Sequence, residues 1–123
     1  MSKKILTVDD SAAVRSLIQF ALQSKGFQAI PAEDGLMALE TLKLKRADAI
    51  VLDINMPRMN GLEFLQKVKS DEAYADIPVV ILSTEGQDED KEKAFALGAS
   101  RYIVKPFTPS QLVSVLEEVL QGN

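Results

Sequence analysis

Cysteine and histidine are both missing from this 123-residue sequence. Without cysteine there is no disulfide and no thiol nucleophile. Without either residue there is no Cys/His zinc site, and without histidine there is no Ser-His-Asp triad. Any metal must therefore be a hard cation held by oxygen. Positive charge is also in short supply: 14 Lys and Arg stand against 18 Asp and Glu, a net charge of −4 that argues against a nucleic-acid surface. No apolar run is long enough to span a bilayer. The basic start, Met1-Ser2-Lys3-Lys4, leads only into a strand-length apolar run ending in Asp9-Asp10, which is not a signal peptide. A soluble, cytoplasmic domain with no membrane insertion is the expectation. The length suits one domain with one core.

The pattern that is present is a fivefold alternation of strand and helix with short connections. Apolar runs at 4–8, 27–31, 49–52, 77–82 and 102–104 read as strands. The first helix follows a Ser11 N-cap with Val14, Leu17, Ile18, Ala21 and Leu22 at helical spacing, and Gly26 stops it. The second starts at Glu33-Asp34-Gly35, and the third is opened by Asn60 with Glu63 three residues on. The fourth, 86–97, is rich in charge and is stopped by Gly98. The fifth has Thr108 as N-cap, Pro109 at the first helical position and Gln111 to complete a capping box. The third and fourth strands are apolar throughout, so both of their faces must be covered. That is the mark of a parallel sheet with helices on both sides, an α/β doubly wound fold.

In such a sheet all strands point the same way, so the residues at their carboxyl ends gather on one edge, where ligands bind in this class of fold. Those residues are Asp9-Asp10, Asp53, Ser83-Thr84 and Lys105. Singly, each has an ordinary explanation. Asp53 could end a strand in a turn, Asp9-Asp10 could start a helix, Ser83 and Thr84 could cap one, and Lys105 could lie on the surface. Together they carry a charge problem. Like charges about 4 Å apart repel by roughly 4 kcal/mol at an effective dielectric near 20. A domain stable by only about 5–15 kcal/mol does not carry three such carboxylates against one ammonium without a use for them. A divalent cation resolves the repulsion, and all-oxygen ligands with room for water and phosphate suit Mg²⁺.

Asp9-Asp10, Asp53 within D-x-N-M-P-x-M-N-G, Ser83-Thr84 and Lys105-Pro106-Phe107 resemble the landmarks of the receiver domain of bacterial two-component response regulators. The similarity extends over essentially the whole chain (core about 4–120) and is greatest to single-domain chemotaxis regulators of the CheY type. The resemblance implies a five-stranded parallel sheet in the order 2-1-3-4-5, a flavodoxin-like (βα)5 receiver, with no output domain. It implies that Asp53 is the phospho-acceptor for a phosphohistidine on a sensor histidine kinase or histidine phosphotransferase. Asp10, Asp53 and the backbone carbonyl of Asn55 would hold Mg²⁺, with Mn²⁺ as a substitute, and Asp9 would act from the second shell or through water. Ser83 and Lys105 would each meet a phosphoryl oxygen, and the Lys105–Pro106 bond would be cis. Ser83 and Tyr102 would form the switch, and Asn55 and Glu85 would tune hydrolysis. The output would be protein–protein contact through the fourth helix, fifth strand and fifth helix, by a monomer whose only activities are self-phosphotransfer and autodephosphorylation. The run Gln87-Asp88-Glu89-Asp90 reads as a solvated helix start.

Other readings are weaker. A haloacid dehalogenase-type phosphatase would place its nucleophile after the first strand in D-x-D, whereas here that strand ends in D-D-S. An FMN carrier needs a hydroxyl-rich phosphate loop, which Ser11-Ala12-Ala13-Val14 does not supply. A non-phosphorylated docking module would have no use for the full acidic set.

Overall fold

The computed structural model describes residues 2–56, 59–84, 86 and 88–121. Five strands alternate with five helices: β1 (Lys4–Val8), α1 (Ala12–Gln23), β2 (Gln28–Ala32), α2 (Gly35–Leu44), β3 (Ala49–Asp53), α3 (Gly61–Ser70), β4 (Val79–Thr84), α4 (Asp88–Ala96), β5 (Arg101–Lys105) and α5 (Pro109–Leu120). All neighbouring strands pair in parallel, in the order β2-β1-β3-β4-β5.

The sheet separates two cores by the period-2 alternation of strand side chains. Ile50 and Leu52 of β3 and Val79 and Ile81 of β4 face α2, α3 and α4, where they meet Ala38, Phe64, Leu65 and Ala94. Ala49, Val51, Val80 and Leu82 face α1 and α5, against Ile18, Leu22, Leu112 and Leu116. Every residue of β3 is buried, as a strand covered on both faces must be. Each buried Leu or Ile contributes about 1.5–3 kcal/mol to this arrangement.

The helix starts follow local chemistry. The side chains of Ser11, Asp34, Asn60 and Thr108 accept from the backbone N–H groups of Val14, Met37, Glu63 and Gln111, and Thr108 with Gln111 completes the expected capping box. Gly26 and Gly98 end their helices with φ of +84° and +110°, which only glycine adopts at no cost.

Several boundaries differ from the sequence expectation. β4 starts at Val79 rather than 77, because the N–H of Ile77 closes a turn onto Tyr74 O at 3.0 Å. β2 is displaced by one residue to Gln28–Ala32, since the Phe27 N–H closes onto Leu22 O at 3.0 Å. The second helix begins at Gly35, with Asp34 as its cap. α4 is shorter than 86–97: Gly86 has φ +89° and lies outside it. β5 extends to Lys105, so the lysine is part of the ladder, opposite Thr84. Leu17, placed in the buried stripe of the first helix, is 41% exposed.

Candidate functional site

At the carboxyl edge, β1 and β3 deliver their terminal carboxylates side by side. Asp9 follows directly on β1 and is fully buried. Its N–H donates to Ala32 O at 3.2 Å, its Oδ1 accepts from the Ser11 N–H at 2.9 Å, and its carbonyl accepts from Arg15 Nη1 at 2.6 Å. Asp10, the next residue, is exposed. Asp53 ends β3 and is 6% exposed, and its Oδ1 accepts from the Asn55 N–H at 3.2 Å. Asp9, Asp10 and Asp53 each offer one oxygen within 4.8 Å of the others. Lys105, from the edge strand, reaches in between them: its Nζ lies 3.0 Å from Asp9 Oδ2 and 3.4 Å from Asp53 Oδ2.

The electrostatics match this crowding. Burial, then the charge of Asp9, raise the Asp53 carboxyl from 3.8 to about 6, while Lys105 and the Asn55 hydrogen bond pull the other way. Burial alone would lower Lys105, but its bond to Asp9 and the charges of Asp53 and Asp9 outweigh that and raise it. One ammonium thus faces three carboxylates.

Beside them, Ser83 is 1% exposed, and its Oγ has no hydrogen-bond partner among the described residues. A buried hydroxyl left unpaired costs about 1–3 kcal/mol, which marks a place where a polar ligand atom is expected. The donor set contains only oxygens and one ammonium, with excess negative charge. It fits a small hard cation and does not fit a soft one.

The edge therefore brings together Asp9, Asp10, Asp53, Asn55 and Lys105, with buried Ser83 one residue past Leu82, the register partner of Asp53. Tyr102 lies apart from them on the edge strand and is 44% exposed. Lys105–Pro106 is cis, as expected. Glu85 and Gln87 lie outside the described residues.

Two residues of the site escaped the sequence reading. Arg15 ties α1 to the end of β1, and only a long-range contact reveals it. Gly61 looked like a simple helix start. A Cβ there would sit 2.5 Å from Asp53 O and 2.7 Å from Ile54 Cα, so glycine lets α3 pack directly on the backbone that carries Asp53.

Fold and edge together define a doubly wound parallel α/β protein with a cluster of acidic side chains at the strand ends. A family model described as the response regulator receiver domain matches residues 5–117. The chain belongs to that family. Among curated relatives, chemotaxis protein CheY1 of Helicobacter pylori is 43% identical, with 98% of each chain covered. The phosphate regulon transcriptional regulatory protein PhoB of Escherichia coli is 37% identical over 98% of this chain, which spans only 53% of PhoB. The crystallised chemotaxis response regulator CheY4 of Vibrio cholerae superposes with a TM-score of 0.91 at 38% identity, covering 97% of this chain and 99% of that one. These similarities do not favour the haloacid dehalogenase, FMN-carrier or docking-module readings. No helix among the described residues is long and apolar enough to cross a membrane.

Proposed function

We propose that the chain is a phosphorylation-driven signalling module in which Asp53 takes a phosphoryl group from a phosphohistidine on a sensor histidine kinase or histidine phosphotransferase. The observation that carries this reading is the meeting of Asp9, Asp10, Asp53 and Lys105 at one edge. A carboxylate oxygen of Asp53 attacks phosphorus. The P–N bond to the donor imidazole breaks, and the nitrogen leaves with the electron pair and takes up a proton. These 123 residues contain no histidine, so the donor phosphohistidine lies outside them. Lys105 neutralises charge on the phosphoryl oxygens, and the Ser83 hydroxyl, buried with no partner among the described residues, donates to one of them.

Asp10, Asp53 and the Asn55 carbonyl are the groups to hold Mg²⁺, or Mn²⁺ in its place. Both Asp9 oxygens already accept hydrogen bonds, from Ser11 and Lys105, which suits Asp9 to an outer role. When bound, the cation supplies charge neutralisation at the phosphoryl oxygens. Asn55, exposed beside Asp53, is placed to tune hydrolysis, and Glu85 is assigned to the same task from the sequence alone.

The output is a change in protein–protein affinity at the α4–β5–α5 face, with Ser83 and Tyr102 as the switch. Reversing a 1:99 equilibrium requires roughly 5.5 kcal/mol of differential stabilisation. Charge-assisted bonds from Ser83 and Lys105 to a phosphoryl group contribute part of it. The module acts in chemotaxis or motility control, a reading supported by its similarity to CheY1 and CheY4, and we infer that it works as a cytoplasmic monomer on a target supplied by another protein.

Incubation with Mg²⁺ and acetyl phosphate is expected to add one hydroxylamine-labile phosphoryl group by intact mass, and Asp53→Asn to abolish it. Labelling that persists in the variant removes Asp53 from the role.

A further inference from the structure

The outward-facing Tyr102 is gripped on two sides by one helix. Lys91 and Phe95 stand four residues apart on α4 and so share a face. Lys91 Nζ lies 4.4 Å from the centre of the Tyr102 ring. Phe95 meets the same ring edge-on, with centroids 5.7 Å apart and planes at 76°. The Lys91 side chain is only 15% exposed, which is low for a lysine on a helix this charged, and Asp88 Oδ1 steers its ammonium from 3.0 Å. By contrast Lys93, on another face of α4, is 57% exposed and pairs with Glu89 at 3.3 Å. The grip also matters to α4 itself. Ala94 is the one α4 residue that is buried, and Lys91 and Phe95 add to its packing a contact with the Tyr102 ring of β5.

We propose that Lys91, backed by Phe95, is a latch that holds Tyr102 outward in the unphosphorylated state. For the ring to turn inward, the ammonium must leave its face and regain water. The latch therefore sets how far a given phosphoryl signal moves the switch, and its release frees α4 at the output face. Lys91 is a positioning residue and touches no phosphoryl group. The proposal rests on the reading of Tyr102 as the switch residue.

The test uses the full chain with Tyr74→Phe, which leaves Tyr102 as the sole ring reporter of the two tyrosines. Ring-labelled tyrosine NMR is recorded with and without Mg²⁺ and beryllofluoride. Lys91→Met keeps the aliphatic stem and removes the charge. In it, the inward fraction of the unactivated protein is expected to rise about two- to tenfold, the range of one partly shielded cation–π contact. Lys91→Arg retains a cation on the ring and is expected to match the parent. A Met variant with unshifted Tyr102 signals overturns the latch, as does an Arg variant that behaves like Met. If the Met variant shifts but beryllofluoride leaves the parent unmoved, the latch stands and the phosphoryl switch falls.

Discussion

Lys69 Nζ, at the amino end of the sheet, lies 2.9 Å from Ala75 O and 2.8 Å from Ile77 O. Its stem passes under Gly98, where a Cβ would come within 3.4 Å of it. At the same end, Asp48 Oδ2 accepts the Lys4 N–H at 2.8 Å. These charged side chains close connections between elements and leave their partners satisfied. At the carboxyl end, Lys105 is shared between two buried carboxylates, a third is within reach, and Ser83 Oγ has no partner among the described residues. Both ends carry a partly buried lysine, but one set of polar groups is complete and the other is short of positive charge and of a hydrogen-bond acceptor or donor. The first stabilises the fold. The second has the unmet negative charge and hydrogen-bonding capacity that the proposed cation and phosphoryl group would use.

The sharpest way to break this contrast is to disturb the carboxyl end through packing alone. Gly61→Ala forces a Cβ onto the Asp53 and Ile54 backbone. It is expected to cost about 3 kcal/mol in urea melts and to lower phosphorylation in parallel. Next, Asp53→Asn should stabilise the metal-free protein. The carboxyl is raised from 3.8 to about 6, so the fold prefers it neutral. The cost of ionising it is absent below about pH 3.8, grows between there and 6, and is complete above. The variant is therefore expected to gain about 2–3 kcal/mol at pH 7.5 and nothing near pH 3.5. Added Mg²⁺ should narrow the gap by stabilising the parent alone. A loss of stability at neutral pH would make Asp53 a structural carboxylate.

Lys69→Met tests the opposite end. It strands the carbonyls of Ala75 and Ile77 and is expected to cost about 2 kcal/mol, with Mg²⁺ affinity and phosphorylation unchanged. Smallest of all in stability is Ser83→Ala, expected within about 1 kcal/mol of the parent because no bond is lost, while phosphorylation slows measurably. Should Ser83→Ala unfold the domain, the hydroxyl is structural and the two ends do not differ as described.

The sequence was most informative where a rule is local. The Thr108-Pro109-Ser110-Gln111 start of α5, the Ser11 cap and the glycine stops depend on neighbours a few residues away, and the structure has each of them. The apolar runs of β3 and β4 announced a sheet covered on both faces, and four strand ends announced one edge rich in acidic and polar groups. The errors came where apolar character alone did not fix which face is buried or whether a turn closes first. Leu17 satisfies the helical period yet is exposed, because α1 packs through Ile18, Ala21 and Leu22. Ile77 is apolar yet serves a turn rather than a strand.

From its order of residues alone, this chain determines which elements form, where they are capped and that acids gather at one rim. Only the tertiary structure decides that Asp9 is wholly buried while its neighbour Asp10 is exposed. Only it brings Lys105 to a carboxylate 96 residues away, leaves Ser83 Oγ unpaired among the described residues and lays Lys91 over Tyr102. The physical reason is range. Propensity and capping act over one or two turns of chain, whereas desolvation and pairing of a charge depend on every element packed around it.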